Sequence, residues 1–372
     1  MRESDPKQEL QTHWLDTNGP VCLIVAAQLA PIADLDRFQP AGFPEIGHVI
    51  YDAPRDDGRM EKVCLVDSPA SMANHLETVC LGGTTDVGLH QQLVGLPYVV
   101  CVTDRGDADN GKDRVVVSSL TEGHRLASDY FLDGRPITDG QPAKETLRDA
   151  LRREFKIIEV KKDKTYFIPP ETWWSIYKTI FRYDPNSLVH GVMFAKEQIK
   201  ISRALTAHLE AFGAGRVGRS GVKFDRLGKT TSGQPIFAVD EETAREIRAT
   251  FIVDLALLRS YGRNEHGLNN AQKRMLLDLA IWKIAQLVGR PFRYRSGCQL
   301  TCKSLTLSTE SQSGFATQIP SVDIEASIRA CEFPGDPVTR VYYPASDLFK
   351  PSKDEEAEAE VEEERGKEES ED

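Results

Sequence analysis

Residues 20–30, PVCLIVAAQLA, form a near-continuous apolar run. The run is too short for a membrane span, which needs ~18 apolar residues or more. Its length fits a strand buried on both faces better than a helix. Far along the chain, Asn270–Val288 repeats apolar residues at helical spacing, with Leu276, Leu279, Ile284 and Leu287 on the buried side. Gly289 follows it and Pro291 lies just beyond, as expected at a helix end. Strands are expected on either side of this helix, over Phe251–Arg259 and Tyr294–Leu307. Near the other end, Lys62–Val66 reads as a strand. Ser68-Pro69 then opens a helix, with Ser as cap and Pro at the first helical position. Met72, Leu76, Val79 and Cys80 make its buried face. Strand, helix, strand at each end suits two split βαβ-type halves in one sheet.

The middle of the chain reads less regularly. Leu96–Val102 and Val115–Ser118 are β-rich, joined by a polar, Gly/Asp-rich hairpin tip or longer loop. Ser119-x-x-Glu122 has the form of a capping box and predicts a short helix through Tyr130, carrying His124 and Arg125. Residues 133–187 look inserted. They contain a doubly charged helix over Pro142–Phe155, a basic strand-like piece KKDKTYFIPP, and a helix with Trp173, Ile176, Tyr177 and Ile180 at helical spacing. Such an aromatic cluster is core or a docking surface. Asp240 is expected to cap a short helix from Glu241.

Between these lies Leu188–Lys229, with eight Lys/Arg against three acids, in a chain whose formal charge is −11. Ile201, Leu205, Leu209 and Phe212 recur at helical spacing and predict an apolar helix face. Lys196, Lys200 and Arg203 recur at the same spacing on another face, and Gly213 is the expected C-terminal stop. The following GAGRVGRSGVKFDRLGK holds five glycines and five basic residues in 17. Glycine lets backbone approach a ligand closely, and Arg and Lys supply charge for phosphate. The stretch is either a solvated helix and flexible loop or a cradle for a nucleic-acid backbone. Upstream, Arg37, Phe38 and Gln39 combine a cation, a ring and an amide. Phe38 either stacks on an RNA base or tucks into the core.

Several functions are excluded or unsupported. Gly213, Gly215 and Gly218 spell G-x-G-x-x-G, but a helix is expected before them where the dinucleotide motif needs a strand. Gly228-Lys229-Thr230 lacks the upstream P-loop glycine, because residue 223 is Lys. Seven cysteines include no C-x-x-C pair, and Cys298 and Cys302 lack a second close pair, so reduced thiols and no metal are expected. His75 reads as a structural or surface residue. No cofactor is implied.

The segments LVHGVMFAKEQIKISRALTAHLEAFGAGRVGRSGVKFDRLG, ADLDRFQPAGFPEIGHVIYDAP, VCLVDSPASMANHLETVC and VVSSLTEGHRLASDYF resemble the backbone subunit of subtype I-G (formerly I-U) CRISPR effector complexes, a Cas-seven-type member of the RAMP superfamily. The resemblance spans most of residues 20–310. It implies an α+β fold: a ferredoxin-like or RRM-like palm sheet with helices on one face and finger- and thumb-like insertions, expected near 85–114 and 133–187 within a domain of residues 1–350. It further implies a non-catalytic protein whose copies line up along one CRISPR guide RNA; a cytoplasmic location is expected from the residues themselves, with no apolar run of ~18 residues and no signal pattern in MRESDPKQELQTHW. Its partners would be that RNA, further copies of itself, a large subunit, a Cas five/six-type subunit, and target DNA through guide pairing, with no membrane. The RNA-binding residues expected are Arg37, Phe38, Gln39, His190, Lys196, Lys200, Arg203, Arg216, Arg219, Lys223 and Arg226. The alternative is a RAMP-type endoribonuclease processing CRISPR RNA, for which His190 and His208 lie nearest the basic stretch.

Residues 353–372 carry 12 Asp/Glu against 3 Lys/Arg, so the preceding 352 residues hold only −2 of the total charge. Residues 351–372 have almost nothing apolar, and the composition predicts a disordered tail. A chain ending at Lys350 is therefore expected to fold and assemble normally. A melting temperature several degrees below that of the full chain would show that the tail docks on the body.

Overall fold

A computed structural model describes residues 13–43, 47–83, 88–103, 114–160, 165–217, 241–333 and 335–348. Its main sheet uses β1 (Cys22–Pro31), β2 (Ile50–Pro54), β3 (Met60–Asp67), β4 (Leu205–Phe212), β5 (Glu246–Asp254), β6 (Phe292–Arg295) and β7 (Cys298–Thr309), in the spatial order β6-β7-β1-β5-β4-β3-β2. Every neighbouring pair is antiparallel. Since β1 and β4 both run against β5, they are parallel to each other; β5 and β7 are likewise parallel across β1. These are the two split βαβ units of a ferredoxin-like sheet. The second crossover holds the long helix. The first, residues 32–204, holds both segments expected as insertions.

The pleat explains which residues are core. Leu23, Val25, Ala27 and Leu29 of β1 are buried, as are Leu205, Ala207 and Leu209 of β4 and Ile247, Ala249, Phe251 and Val253 of β5. Their alternates, such as Ile24, Thr206, His208 and Thr250, are only half-buried, so β1 is not covered equally on both faces. Against the buried face lies α1 (Pro69–Thr78), where the Ser68 hydroxyl accepts from the Ser71 N–H as its cap. The further helices used below are α2 (Leu147–Phe155), α3 (Thr172–Tyr183), α4 (Pro185–His190) and α5 (Asn270–Val288). The start of α5 is fixed by a reciprocal Asn269/Gln272 capping box. A second sheet joins Arg114–Ser118, Tyr98–Thr103, Val338–Tyr342, Arg135–Thr138 and Gln141–Pro142, with Val338–Tyr342 parallel to Tyr98–Thr103.

The main sheet is strongly curled. Laid flat, β6 and β3 would be five strand spacings apart, roughly 24 Å. Instead Arg295 of β6 donates to the Val66 carbonyl at 2.6 Å and pairs with Asp67 of β3 at 2.9 Å.

Several local expectations need correction. The helix predicted from Leu188 to Phe212 is α4 followed by the Val192–Phe194/Ile199–Ile201 hairpin and β4. Ile201, Leu205 and Leu209 are four apart, and four is a multiple of the strand period as well as nearly one helical turn. Lys196, Lys200 and Arg203 therefore share no helix face. Glu241–Thr243 is a strand, not a helix, and pairs with Gly215–Val217. The expected strand Phe251–Arg259 ends at Asp254, whose carboxylate caps a helix over Leu255–Ser260. Ser119 caps no helix because its hydroxyl accepts from the Val99 N–H. The doubly charged helix starts at Leu147 rather than Pro142, where Thr146 caps it.

Beneath the sheet, polar side chains meet inside the core. Glu77 of α1 accepts from Arg125 Nε at 2.6 Å and Nη2 at 2.9 Å, and from Asn186 Nδ2 of α4 at 2.6 Å. Asn186 Oδ1 in turn accepts from Lys283 of α5, and Arg125 Nη1 reaches the Gly123 carbonyl at 3.2 Å. Arg125 adopts φ = +54°, a region costly for a residue with a side chain, and these bonds hold it there. Replacing Glu77 by Ala would leave two cations buried without their anion. The expected loss is about 3–5 kcal/mol of unfolding free energy in urea, against little change for an exposed carboxylate such as Asp57→Ala.

Candidate nucleic-acid interface

At one end of the curled sheet the chain leaving β1 meets the chain leaving β4. Phe38 and Glu242 exchange two backbone hydrogen bonds of 2.9 Å. This bridge seats residues 36–39 on the Gly215–Val217/Glu241–Thr243 ribbon, where Arg216 stands opposite Glu242 in register. Arg37 Nε donates to Glu241 Oε2 at 2.9 Å. The buried Glu242 takes Arg216 Nε at 3.4 Å and His48 Nδ1 at 3.0 Å on one oxygen. The Arg37 and Arg216 side chains are 45% and 51% exposed. Arg37 Nη1 also pairs with Asp36 at 3.2 Å, so carboxylates orient two partly exposed guanidiniums, a residue type that suits phosphate. Gln39 joins them through its N–H, which donates to the Gly297 carbonyl at 2.8 Å. Gly297 has φ = +74°, and a Cβ there would press on Gln39 at 3.1 Å.

The expected residues do not form one groove. Lys196 and Lys200 are exposed on the Val192–Phe194/Ile199–Ile201 hairpin, and Arg203 is half-buried just after it. That hairpin precedes β4 while Arg216 follows it. The two sets therefore lie at opposite ends of a strand roughly 27 Å long. Phe38 is a core residue, 1% exposed, so of the two readings of its ring the buried one holds. His190 is also buried, and neither ring nitrogen has a hydrogen bond. Burial, together with the charges of Lys283, Arg125 and Arg203, holds its pKa well below the usual imidazole range. A neutral ring in the core makes no surface contact with RNA, contrary to the expectation from sequence. Arg219, Lys223 and Arg226 lie outside the described residues. His208 is half-buried on the other sheet face, opposite Thr250.

Residues given no role from sequence adjoin this surface through the turn after β6. Asp67 is buried between His75 Nε2 at 2.9 Å and Arg295 Nη2 at 2.9 Å. Burial opposes its ionisation, but those two partners outweigh burial and hold the carboxyl below its usual pKa. Phe292 and Tyr294 pack their rings against His75, with centroids 5.4 and 5.3 Å away. Only the spacing of Asp67 and His75 across a helix start could have suggested the pair. Arg295 is more than 200 positions away, and nothing local marks it.

Residues 23–216, from β1 to the ribbon that carries Arg216, match the family model described as CRISPR-associated protein GSU0053. The chain belongs to that family. No curated protein matches it. Among solved structures, the crystal structure of Thermofilum pendens Csc2 is similar at 10% identity and a TM-score of 0.27, covering 83% of this chain and 70% of that one. In this GSU0053-family chain, no group of three or more His, Cys, Asp or Glu among the described residues is placed to hold a metal ion. No helix of the described residues is long and apolar enough to cross a membrane.

Near His190, Asp184 is buried with Oδ2 accepting from the Ser187 hydroxyl at 2.7 Å and Oδ1 unpartnered. Burial pushes its pKa up from 3.8 to about 7, against the Ser187 hydrogen bond and with the Glu77 charge adding to the rise. A raised folded-state pKa means the stabilising proton is fully in place below the unfolded value and is lost as pH rises through about 7. Asp184→Asn removes that loss. Its stability relative to wild type, measured by urea unfolding, is expected to improve between pH 5 and pH 8 by on the order of 2 kcal/mol. A gap that does not change with pH would mean that Asp184 stays ionised in the fold.

Proposed function

We propose that this chain is a non-catalytic, RNA-binding backbone subunit of a CRISPR effector complex, of the Cas-seven type within the RAMP superfamily and of subtype I-G. Copies line up along one guide RNA beside a large subunit and a Cas five/six-type subunit, and the guide bases remain turned outward to pair with target DNA. Sequence reading is then delegated to base pairing, and the protein holds the backbone with little sequence preference. The observation that carries this reading is the meeting of Arg37, Gln39 and Arg216 at the base of the excursion that contains the glycine-rich basic loop. Two carboxylate-anchored arginines beside a backbone amide–carbonyl pair form a surface for phosphodiester, not a reaction centre. Lys196, Lys200 and Arg203 at the far end of β4 would meet a further part of the strand or a neighbouring copy's segment of it. Neither histidine nearest the basic stretch favours the endoribonuclease alternative. His190 is buried without a hydrogen-bond partner, and His208 sits on the other sheet face.

The combined variant Arg216→Ala, Arg219→Ala, Lys223→Ala tests this. It is expected to keep the wild-type circular dichroism spectrum, lose affinity for every single-stranded RNA alike, and fail to assemble with guide RNA and the other subunits. Each lost phosphate contact lowers the slope of log affinity against log salt by roughly 0.7. Lys161→Ala with Lys162→Ala is the control and is expected to have a smaller effect. Unchanged affinity and slope in the triple variant would place the RNA elsewhere.

A further inference from the structure

We propose that His75 accepts a hydrogen bond from a ribose 2′-hydroxyl of the bound strand, and so makes this surface prefer RNA to DNA. The inference rests on the RNA-binding reading above and adds the feature of the backbone that the site recognises.

The tautomer follows from the partners. Asp67 is 1% exposed and accepts from the Ser68 N–H at 2.9 Å and from Arg295, besides its contact with His75 Nε2. An ionised carboxylate only accepts, so Nε2 carries a proton, and whenever the ring holds a single proton Nδ1 is an acceptor. The Ser71 hydroxyl lies 3.4 Å from the same Nε2 and leaves Nδ1 untouched. Among the described residues Nδ1 has no hydrogen-bond partner. It is not one of the buried unpartnered polar atoms, and 17% of the side chain is exposed. The edge contacts from Phe292 and Tyr294, at 74° and 89°, hold the ring plane in place.

Position connects this acceptor to the arginine surface. Arg295, paired with Asp67, belongs to the same turn as Gly297. Gly297 takes the Gln39 N–H, and Gln39 adjoins the Phe38–Glu242 bridge that seats Arg37 and Arg216. An acceptor is useless to a phosphate, which itself only accepts. If the bases face the target strand, the remaining donor along a nucleic-acid backbone is the 2′-hydroxyl, which RNA has and DNA lacks. Closing the curled sheet needs Nε2, Asp67 and Arg295, but it gives Nδ1 nothing to do.

The test compares one sequence as RNA, as DNA and as 2′-fluoro RNA, which keeps the ribose pucker but cannot donate. Wild type is expected to bind RNA about two- to tenfold more tightly than either analogue, the size of one hydrogen bond. In His75→Gln the amide nitrogen lies about as far along the side chain as Nε2, so the bond to Asp67 survives and the Nδ1 acceptor is gone. This variant is expected to melt like wild type, bind DNA as before and lose its preference for RNA. In His75→Asn the carbonyl oxygen replaces Nδ1 while the bond to Asp67 is lost, so a lower melting temperature with the preference retained is expected. A Gln variant that keeps the preference overturns the proposal, as do variants that weaken RNA and DNA in parallel. Should the Gln variant not fold, the wild-type comparison decides, since equal affinity for RNA and 2′-fluoro RNA also overturns it. Wild type that binds neither RNA nor DNA overturns the RNA-binding reading itself, and this inference with it.

Discussion

The bidentate pair between Glu77 and Arg125, with both side chains under a tenth exposed, ties together distant parts of the chain inside the core. Glu77 comes from α1, Arg125 from the first crossover, Asn186 from α4 and Lys283 from α5. Removing these charges from water is expensive, and mutual attraction repays the cost only when nearly every donor and acceptor is used. Here the bonds are shared out so that Asn186 links the Glu77 carboxylate to the Lys283 ammonium. A packed apolar core of the same volume could supply comparable stability, but it would not specify which helix goes where. Lys283, in an otherwise apolar stretch of α5, reaches this cluster through Asn186 and so joins the helix to it beneath the sheet.

This arrangement of helices leaves the end of the sheet free to curl. The curl brings β6 round to β3, where Arg295 and Asp67 close it. As a consequence, the turn after β6, the segment after β1 and the ribbon after β4 converge at one place. Electrostatics there repeats a single device: a buried or half-buried carboxylate below, a cation above it. Glu242 under Arg216, Glu241 beside Arg37 and Asp67 beside Arg295 each fix a cation in place. The protein needs no large positive charge to present such a surface, which accords with a body of residues 1–352 near neutrality.

Legibility in the sequence differed by residue for physical reasons. α5 was legible end to end because its caps and its apolar content are local. The same holds for Ser68 at the start of α1, whose hydroxyl serves an N–H three residues on. The hairpin and strand over Val192–Phe212 were not legible, since apolar residues four apart satisfy both periods and only pairing with β5 selects the strand. Ser119 illustrates the same limit: its capping pattern is intact, yet the hydroxyl is claimed by Val99 of a neighbouring strand. In the candidate interface, Arg37, Gln39 and Arg216 stood out as residue types suited to RNA. Phe38 and His190 stood out equally and are buried, because exposure is a property of packing and not of residue type.

By itself, the sequence determined β1, the strand–helix–strand order of the second half, the Ser68 cap of α1, the Gly289 end of α5, and the concentration of basic residues between Leu188 and Lys229. All of these depend on interactions within a few residues or on composition. The tertiary structure alone decided that Arg216 stands over a buried Glu242 beside Arg37, that Lys196 and Lys200 lie at the far end of β4, and that Arg295 meets Asp67 and His75. Those contacts join residues separated by tens to hundreds of positions. Their energy depends on how the sheet curls and which helices lie beneath it, and no local pattern encodes either.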